Sequence, residues 1–99
     1  MNGADHLNDL YMTVTVLLFA SHREFVGKRQ VQVQVARGAT VTDVYDRLQD
    51  AYTGLAGLRA ATSFAVNREV VAENAIVQNG DEVAFLQPVS GGSFDRIGA

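Results

Sequence analysis

The sequence predicts a single α+β domain in which a mixed sheet of about five strands packs against one main helix. Two observations support this prediction. Apolar side chains recur with a period of two in several short segments, and they recur with a helical period in one long segment between residues 40 and 54. The chain has 99 residues, which is the length of one domain of ordinary size.

The first two strands are predicted on either side of a short turn. Thr13–Ala20 is rich in β-branched residues and is apolar on both faces from Val16 onward, which is typical of a central, buried strand. Residues 21–28 are predicted as a turn in which Gly27 can adopt a positive φ. Arg29–Val35 alternates valine and glutamine strictly, which indicates a half-exposed antiparallel strand.

The main helix is predicted to begin after Thr40. Thr40 is a good N-cap, and Asp43 follows three residues later in the pattern of a capping box. Gly54 is expected to end the helix. One apolar stripe on this helix is formed by Val41, Val44, Tyr45, Leu48 and Tyr52.

The second half of the chain predicts a connector, a hairpin and a last strand. Leu55 and Leu58 of the connector are expected to pack against the core. The hairpin is predicted to pair Phe64–Val66 with Glu69–Val71 around a turn at Asn67 and Arg68.

A turn at Asn79–Asp81 then precedes the last predicted strand, Glu82–Val89. This strand is expected to be buried on both faces over its middle. Pro88 must lie at or beyond its end, because proline has no N–H to donate to a neighbouring strand.

The order strand, strand, helix, strand, strand, strand is that of the ubiquitin-like β-grasp. A ferredoxin-like fold would need a second helix, and residues 72–81 are too short and too polar to form one. The domain organisation predicted is a flexible leader at 1–11, the β-grasp domain at 12–89, and a flexible tail at 90–99. That tail holds a Gly-Gly pair and a seven-residue extension.

Composition excludes several classes of function. The net charge is −3 with no run of lysine or arginine, which argues against nucleic acid as a partner. There is no cysteine, so disulfides and thiolate chemistry are excluded. The longest apolar run, Val14–Ala20, is too short to cross a membrane, and no basic residue precedes it as in a signal peptide. We therefore expect a cytoplasmic protein with no membrane contact.

No residue pattern in the chain predicts a catalytic site of its own. His6 and His22 are far apart and are expected to be solvated surface side chains, with no further ligands for a metal. No serine lies in a nucleophile motif, and no glycine pattern is that of a nucleotide site. We expect no bound metal and no bound cofactor.

The tail offers a better chemical handle. Leu86 and Gly92 are six residues apart, which is a reach of about 20 Å in an extended chain. Glycines 91 and 92 have no Cβ, so their backbone can pass through a narrow channel and approach a nucleotide closely. A terminal glycine carboxylate would be the least hindered acyl group that a protein can present. The alternative is a spacer without function.

Four segments of the chain resemble the small subunit of molybdopterin synthase, a ubiquitin-like sulfur carrier. They are VTVLLFASHREFVG, GATVTDVYDRLQDAY, FAVNREVV and NGDEVAFLQPVSGG, and the resemblance runs from Met12 to Gly92. It implies that an ATP-dependent adenylyltransferase activates the Gly92 carboxylate, which then becomes a thiocarboxylate. The tail would enter the large subunit of the synthase, which supplies the catalytic groups and passes the sulfur to cyclic pyranopterin monophosphate.

The resemblance also assigns roles to the residues before Gly92. It implies that ATP is used only by the activating enzyme, that Gly92 carries the acyl group and that Gly91 lets it fit a channel. The residues expected to help dock partners are Phe85, Leu86, Pro88, Val89 and Gly91.

The sequence departs from the family pattern at two places. Gln87 stands where the family has the first of two prolines, and residues 93–99 follow Gly92. An internal Gly92 has an amide, which cannot be adenylated. The extension is therefore removed by a processing protease, begins a linker to a fused domain, or inactivates the carrier. Alternative functions are sulfur transfer for cysteine or thiamine synthesis, and a β-grasp interaction module with a non-functional Gly-Gly.

Overall fold

The computed structural model describes residues 10–87, which form a five-stranded mixed sheet with helices packed on one face. The strand order is β2-β1-β5-β3-β4; β1 and β5 run parallel, and the other neighbours are antiparallel. This is the predicted ubiquitin-like β-grasp with one main helix. The strands are β1 (Tyr11–Leu17), β2 (Gln30–Ala36), β3 (Ser63–Val66), β4 (Glu69–Val71) and β5 (Glu82–Leu86).

The main helix, α2 (Val41–Ala51), begins at the predicted capping box. The backbone N–H of Asp43 donates to Oγ1 of Thr40 at 3.2 Å, and the backbone N–H of Thr40 donates to Oδ2 of Asp43 at 2.9 Å. Two donors that the helix leaves unpaired at its start are satisfied in this way. The predicted apolar stripe faces the sheet, and its first four residues are buried.

A short helix that the sequence did not predict, α1 (Ala20–Val26), replaces the turn expected at 21–28. His22 and Val26, four residues apart, are the two buried residues of this helix. Two positions are too few to reveal a helical period in the sequence. Gly27 ends the helix with a φ of 81°, and its N–H donates to the carbonyl of Arg23 at 2.7 Å. The positive φ predicted for Gly27 is confirmed.

The connector after α2 is a 3-10 helix, Thr53–Ala61. Leu55 is buried and Leu58 is half-buried against the core, as predicted. Helix α2 ends at Ala51, before Gly54, which has a different role. A Cβ at Gly54 would lie 2.5 Å from the ring of Phe25, so the glycine permits α1 and the 3-10 helix to approach each other.

The predicted hairpin and last strand are both present. Strands β3 and β4 pair around Asn67 and Arg68, whose φ values of 49° and 74° are those of the tight turn expected there. Strand β5 lies between β1 and β3 and ends at Leu86. Pro88 and Val89 of the predicted strand lie outside the described residues.

The capping box yields the first test of this structure. Replacing Asp43 by alanine should lower the free energy of unfolding by about 1 kcal/mol. The backbone N–H of Thr40 then loses the carboxylate that accepts its hydrogen bond. The measurement is urea unfolding followed by circular dichroism. The control is Asp46→Ala on the exposed face of the same helix, which should change the free energy much less. Equal losses in the two variants would contradict the role of the box.

Candidate functional site

The start of β5 is fixed to β1 by the turn that precedes it. The side-chain oxygen of Asn79 accepts a hydrogen bond from the N–H of Thr13 at 2.9 Å. The N–H of Gly80 donates to the carbonyl of Thr13 at 2.8 Å, and Gly80 adopts a φ of 87°. Only glycine takes this conformation without cost, so the Asn-Gly sequence matches what the turn requires.

The same turn is fixed to the β3–β4 hairpin on its other side. Asp81 accepts two hydrogen bonds, from the N–H of Gln78 at 2.7 Å and from the side-chain amide of Asn67 at 3.0 Å. Asn67 in turn accepts from the N–H of Glu82 through its side chain at 3.0 Å and donates its own N–H to the carbonyl of Glu82 at 2.8 Å. The turn before β5 and the first residue of β5 are therefore hydrogen-bonded to β1 on one side and to the β3–β4 hairpin on the other.

The end of β5 is held by an aromatic cluster in the core. Phe85 is wholly buried, with its ring centroid 4.7 Å from that of Tyr45, 5.6 Å from that of Phe64 and 5.8 Å from that of His22. The expectation that Phe85 helps to dock partners does not fit this burial, because its side chain presents no surface. Phe85 instead supports the strand from inside.

His22 lies in the core and not at the surface. It was expected on the surface, but its side chain is wholly buried against Phe85 and Tyr45. Oγ1 of Thr62 donates to the carbonyl of Leu58 at 2.7 Å, so it accepts from Nε2–H of His22 at 2.8 Å. Nδ1 of His22 is buried and has no partner among the described residues. The structure therefore holds the neutral imidazole.

Burial of the imidazole has an electrostatic consequence. Desolvation lowers the pKa of His22 below its ordinary value of 6.5, because a proton on Nδ1 would introduce a charge into the core. A turn prediction for this segment could not reveal this, since the burial follows from α1 folding against the 3-10 helix.

An apolar patch lies on the opposite face of the sheet, beside the end of β5. Because Val83 and Phe85 point inward, alternation directs Ala84 and Leu86 outward, and Leu86 is half-buried there. The side chain of Val70 is the most exposed of the group, at 75%. We name this surface the outer-face patch; it consists of Leu17, Phe19, Ala65, Val70, Ala84 and Leu86.

The remaining predicted site residues follow the described part of the chain. Gln87 is the last described residue, and Pro88, Val89, Gly91 and Gly92 lie outside it. The part of the chain between residues 10 and 87 contains no cluster of three or more potential metal ligands. No helix in that part is long and apolar enough to span a membrane.

The strand order and the fixed strand end define a ubiquitin-like β-grasp protein, and comparison with known proteins identifies its family. The sequence model of the ThiS family matches residues 16–92, so the chain belongs to the ThiS family. The match ends at Gly92, and residues 93–99 follow it.

Individual relatives agree with this assignment. The molybdopterin synthase sulfur carrier subunit of Arabidopsis thaliana is 35% identical over 79 residues, covering 80% of this chain and 82% of the relative. The human protein of the same name is 33% identical, and the match covers 80% of this chain and 93% of the human protein. The crystal structure of SAMP1 from Haloferax volcanii is similar, with a TM-score of 0.72 and 34% sequence identity. The match covers 81% of this chain and 99% of SAMP1.

Buried His22 predicts how stability depends on pH. Its pKa is lowered in the folded state, so the unfolded state binds more protons below about pH 6.5 and the free energy of unfolding falls as the pH drops. The measurement is urea unfolding between about pH 7 and about pH 5, above the range in which most carboxylates titrate.

Two variants isolate this effect. Both carry His6→Gln, which leaves His22 as the sole histidine in the first, and the second adds His22→Gln. The first should lose more stability than the second as the pH falls. The same pH dependence in both would contradict the burial of a neutral imidazole.

Proposed function

We propose that this chain is a sulfur carrier for molybdopterin synthesis, acting through the carboxylate of Gly92 once residues 93–99 are removed. The observation that carries the proposal is the family match, which ends at Gly92. Relatives named as molybdopterin synthase sulfur carrier subunits also cover about four-fifths of the chain. Gly92 follows five residues after Gln87, so it is close in sequence to the end of β5, which pairs with β3 as far as Leu86.

The chemistry requires activation, since a carboxylate is a poor electrophile. An oxygen of the Gly92 carboxylate attacks the α-phosphate of ATP in a partner adenylyltransferase and displaces pyrophosphate. Hydrosulfide released by a donor then attacks the carbonyl carbon, AMP leaves, and a thiocarboxylate remains. Its sulfur passes to cyclic pyranopterin monophosphate in the large subunit of the synthase. The carrier itself needs no metal and no bound cofactor for these steps.

The outer-face patch suits the docking of these partners. It includes Leu86 at the end of β5 and places other apolar side chains around that residue. Arg68 and Glu82 lie at its rim, which gives the apolar centre and charged border common in protein interfaces. The resemblance implies a docking role for Leu86, and its place in the patch supports the proposal that it contacts a partner.

The test of the carrier function is the intact mass of the protein after reaction. A chain ending at Gly92, incubated with an adenylyltransferase, ATP and a sulfur donor, should gain the mass difference between one sulfur and one oxygen. The matched control is the 99-residue chain, whose internal Gly92 has no carboxylate and should not react without a protease. An unchanged mass for the chain ending at Gly92 would contradict the proposal.

The outer-face patch has its own test. Val70→Asp should weaken binding of the chain ending at Gly92 to a synthase large subunit by about tenfold or more, because it places a charge in an apolar contact. The matched control is Ile76→Asp, which changes another exposed aliphatic residue, at 60%, in the loop that bridges to Thr40. Isothermal titration calorimetry measures both variants. Equal weakening by the two substitutions would contradict docking at the patch.

A second function shares the activation step. SAMP1 of Haloferax volcanii is 34% identical to this chain. A second similar structure from H. volcanii is named small archaeal modifier protein 1. In a modifier, a lysine amine would displace AMP from the Gly92 carbonyl and form an amide bond. Conjugates that resist thiol, and from which trypsin releases a lysine that carries the segment 69–92 in an isopeptide bond, would support this second function, because no lysine or arginine lies between Arg68 and Gly92. A thiocarboxylate alone would support the carrier.

A further inference from the structure

Strand β2 has an open edge. It pairs only with β1 among residues 10–87, and it forms one end of the sheet. The N–H of Leu18 donates to the carbonyl of Arg29 at 2.8 Å, and the N–H of Arg37 donates to the carbonyl of Leu10 at 3.0 Å. In an antiparallel pair, successive residues of a strand point their backbone N–H and C=O groups alternately toward the neighbouring strand and away from it. Arg29 and Arg37 point theirs toward the β1 side, so Gln30, Gln32 and Gln34 point theirs away from β1. These N–H and C=O groups are placed to pair with another strand.

A groove runs along this edge between β2 and α2. Its apolar lining comes from both elements, and Val31 and Tyr52 are only half-buried although they pack against the core. Leu48 and Ala51 complete the apolar part of the lining on α2. A strand added to β2 would therefore find apolar surface under every second side chain.

The charge of this groove is opposite to that of the protein. Lys28 and Arg47 are the charged residues that line it, both are basic, and both are exposed. The whole chain has a net charge of −3. Carboxylates on a bound segment would thus meet favourable charges on both the strand side and the helix side of the groove.

The same charges disfavour a second copy as the occupant. Gln30–Gln34 reads the same in both directions, so an antiparallel pairing of two β2 strands would match glutamine with glutamine and valine with valine. That arrangement would also bring Lys28 and Arg47 of both copies to one seam. Like charges across an interface are costly, so the groove is better suited to an acidic foreign segment.

We propose that the β2 edge and its groove bind an extended segment of a partner protein in which apolar residues alternate and acidic residues flank them. The segment adds to the sheet as a further strand beside β2. This surface is on the helix side of the sheet, and the outer-face patch is on the other side, so both can be occupied together. The proposal stands independently of the sulfur-carrier function.

The experiment is an amide chemical-shift titration of the full chain with a synthetic peptide. The probe peptide alternates valine and threonine and carries aspartates at both ends; the matched peptide carries asparagines instead. The aspartate peptide should shift the amides of Gln30–Ala36 and leave those of Glu69–Val71 unchanged. The asparagine peptide should bind roughly fivefold more weakly, which is the size expected for partly exposed ion pairs.

Three protein variants test the two parts of the site. Arg47→Glu should weaken the aspartate peptide by roughly fivefold to tenfold, whereas Arg23→Glu, an exposed reversal on α1, should change binding little. Gln32→Pro removes an outward N–H without removing a bond to β1, and it should abolish the shifts in β2. Unchanged β3 and β5 spectra verify that this variant is folded, and Arg47→Glu tests the charge separately.

Several results would overturn the proposal. Equal affinity for the two peptides would remove the charge argument, and shifts confined to the outer-face patch would place the segment elsewhere. Shifts in β2 that grow with protein concentration alone would identify a second copy as the occupant. Shifts in β2 on deleting residues 1–9 would identify the chain's own first segment as the occupant.

Discussion

The burial of β5 between β1 and β3 is the constraint on which the rest of the structure depends. Phe85 fills the centre of the core against Tyr45 and Phe64, and the Asn79–Glu82 turn fixes the strand's start to both neighbours. A central strand cannot shift by one residue without exchanging its buried and exposed faces. The point at which the chain leaves the sheet after Leu86 is therefore determined by the core.

Much of this arrangement could be predicted from the sequence because its signals are local. The valine–glutamine alternation of β2, the capping box at Thr40 and the turn at Asn67 each have a short-range cause and are all present. Helix α1 and the burial of His22 were not predicted, since a seven-residue helix with two buried positions has no clear period. The burial of His22 depends on contacts with residues distant in sequence, such as Thr62.

The docking residues were expected from the family resemblance and remain a prediction. Of the described ones, Leu86 is half-buried on the outer face of the sheet beside other apolar residues. Sequence patterns could not separate Leu86 from Phe85, because both are apolar and only the register of β5 decides which one faces the core. The opposite faces of the sheet thus differ: one builds the core, and the other carries the outer-face patch beside the end of β5.

Because β5 is buried between β1 and β3, we expect it to open only when the whole domain unfolds. Native-state hydrogen exchange of the β5 amides, Val83–Leu86, tests it most directly. The structure predicts that these amides exchange with the same free energy as the β1 amides and the global unfolding reaction. Exchange of the β5 amides through a local opening, with a free energy clearly below that of β1, would show that β5 can open while the rest of the domain stays folded, contrary to this expectation.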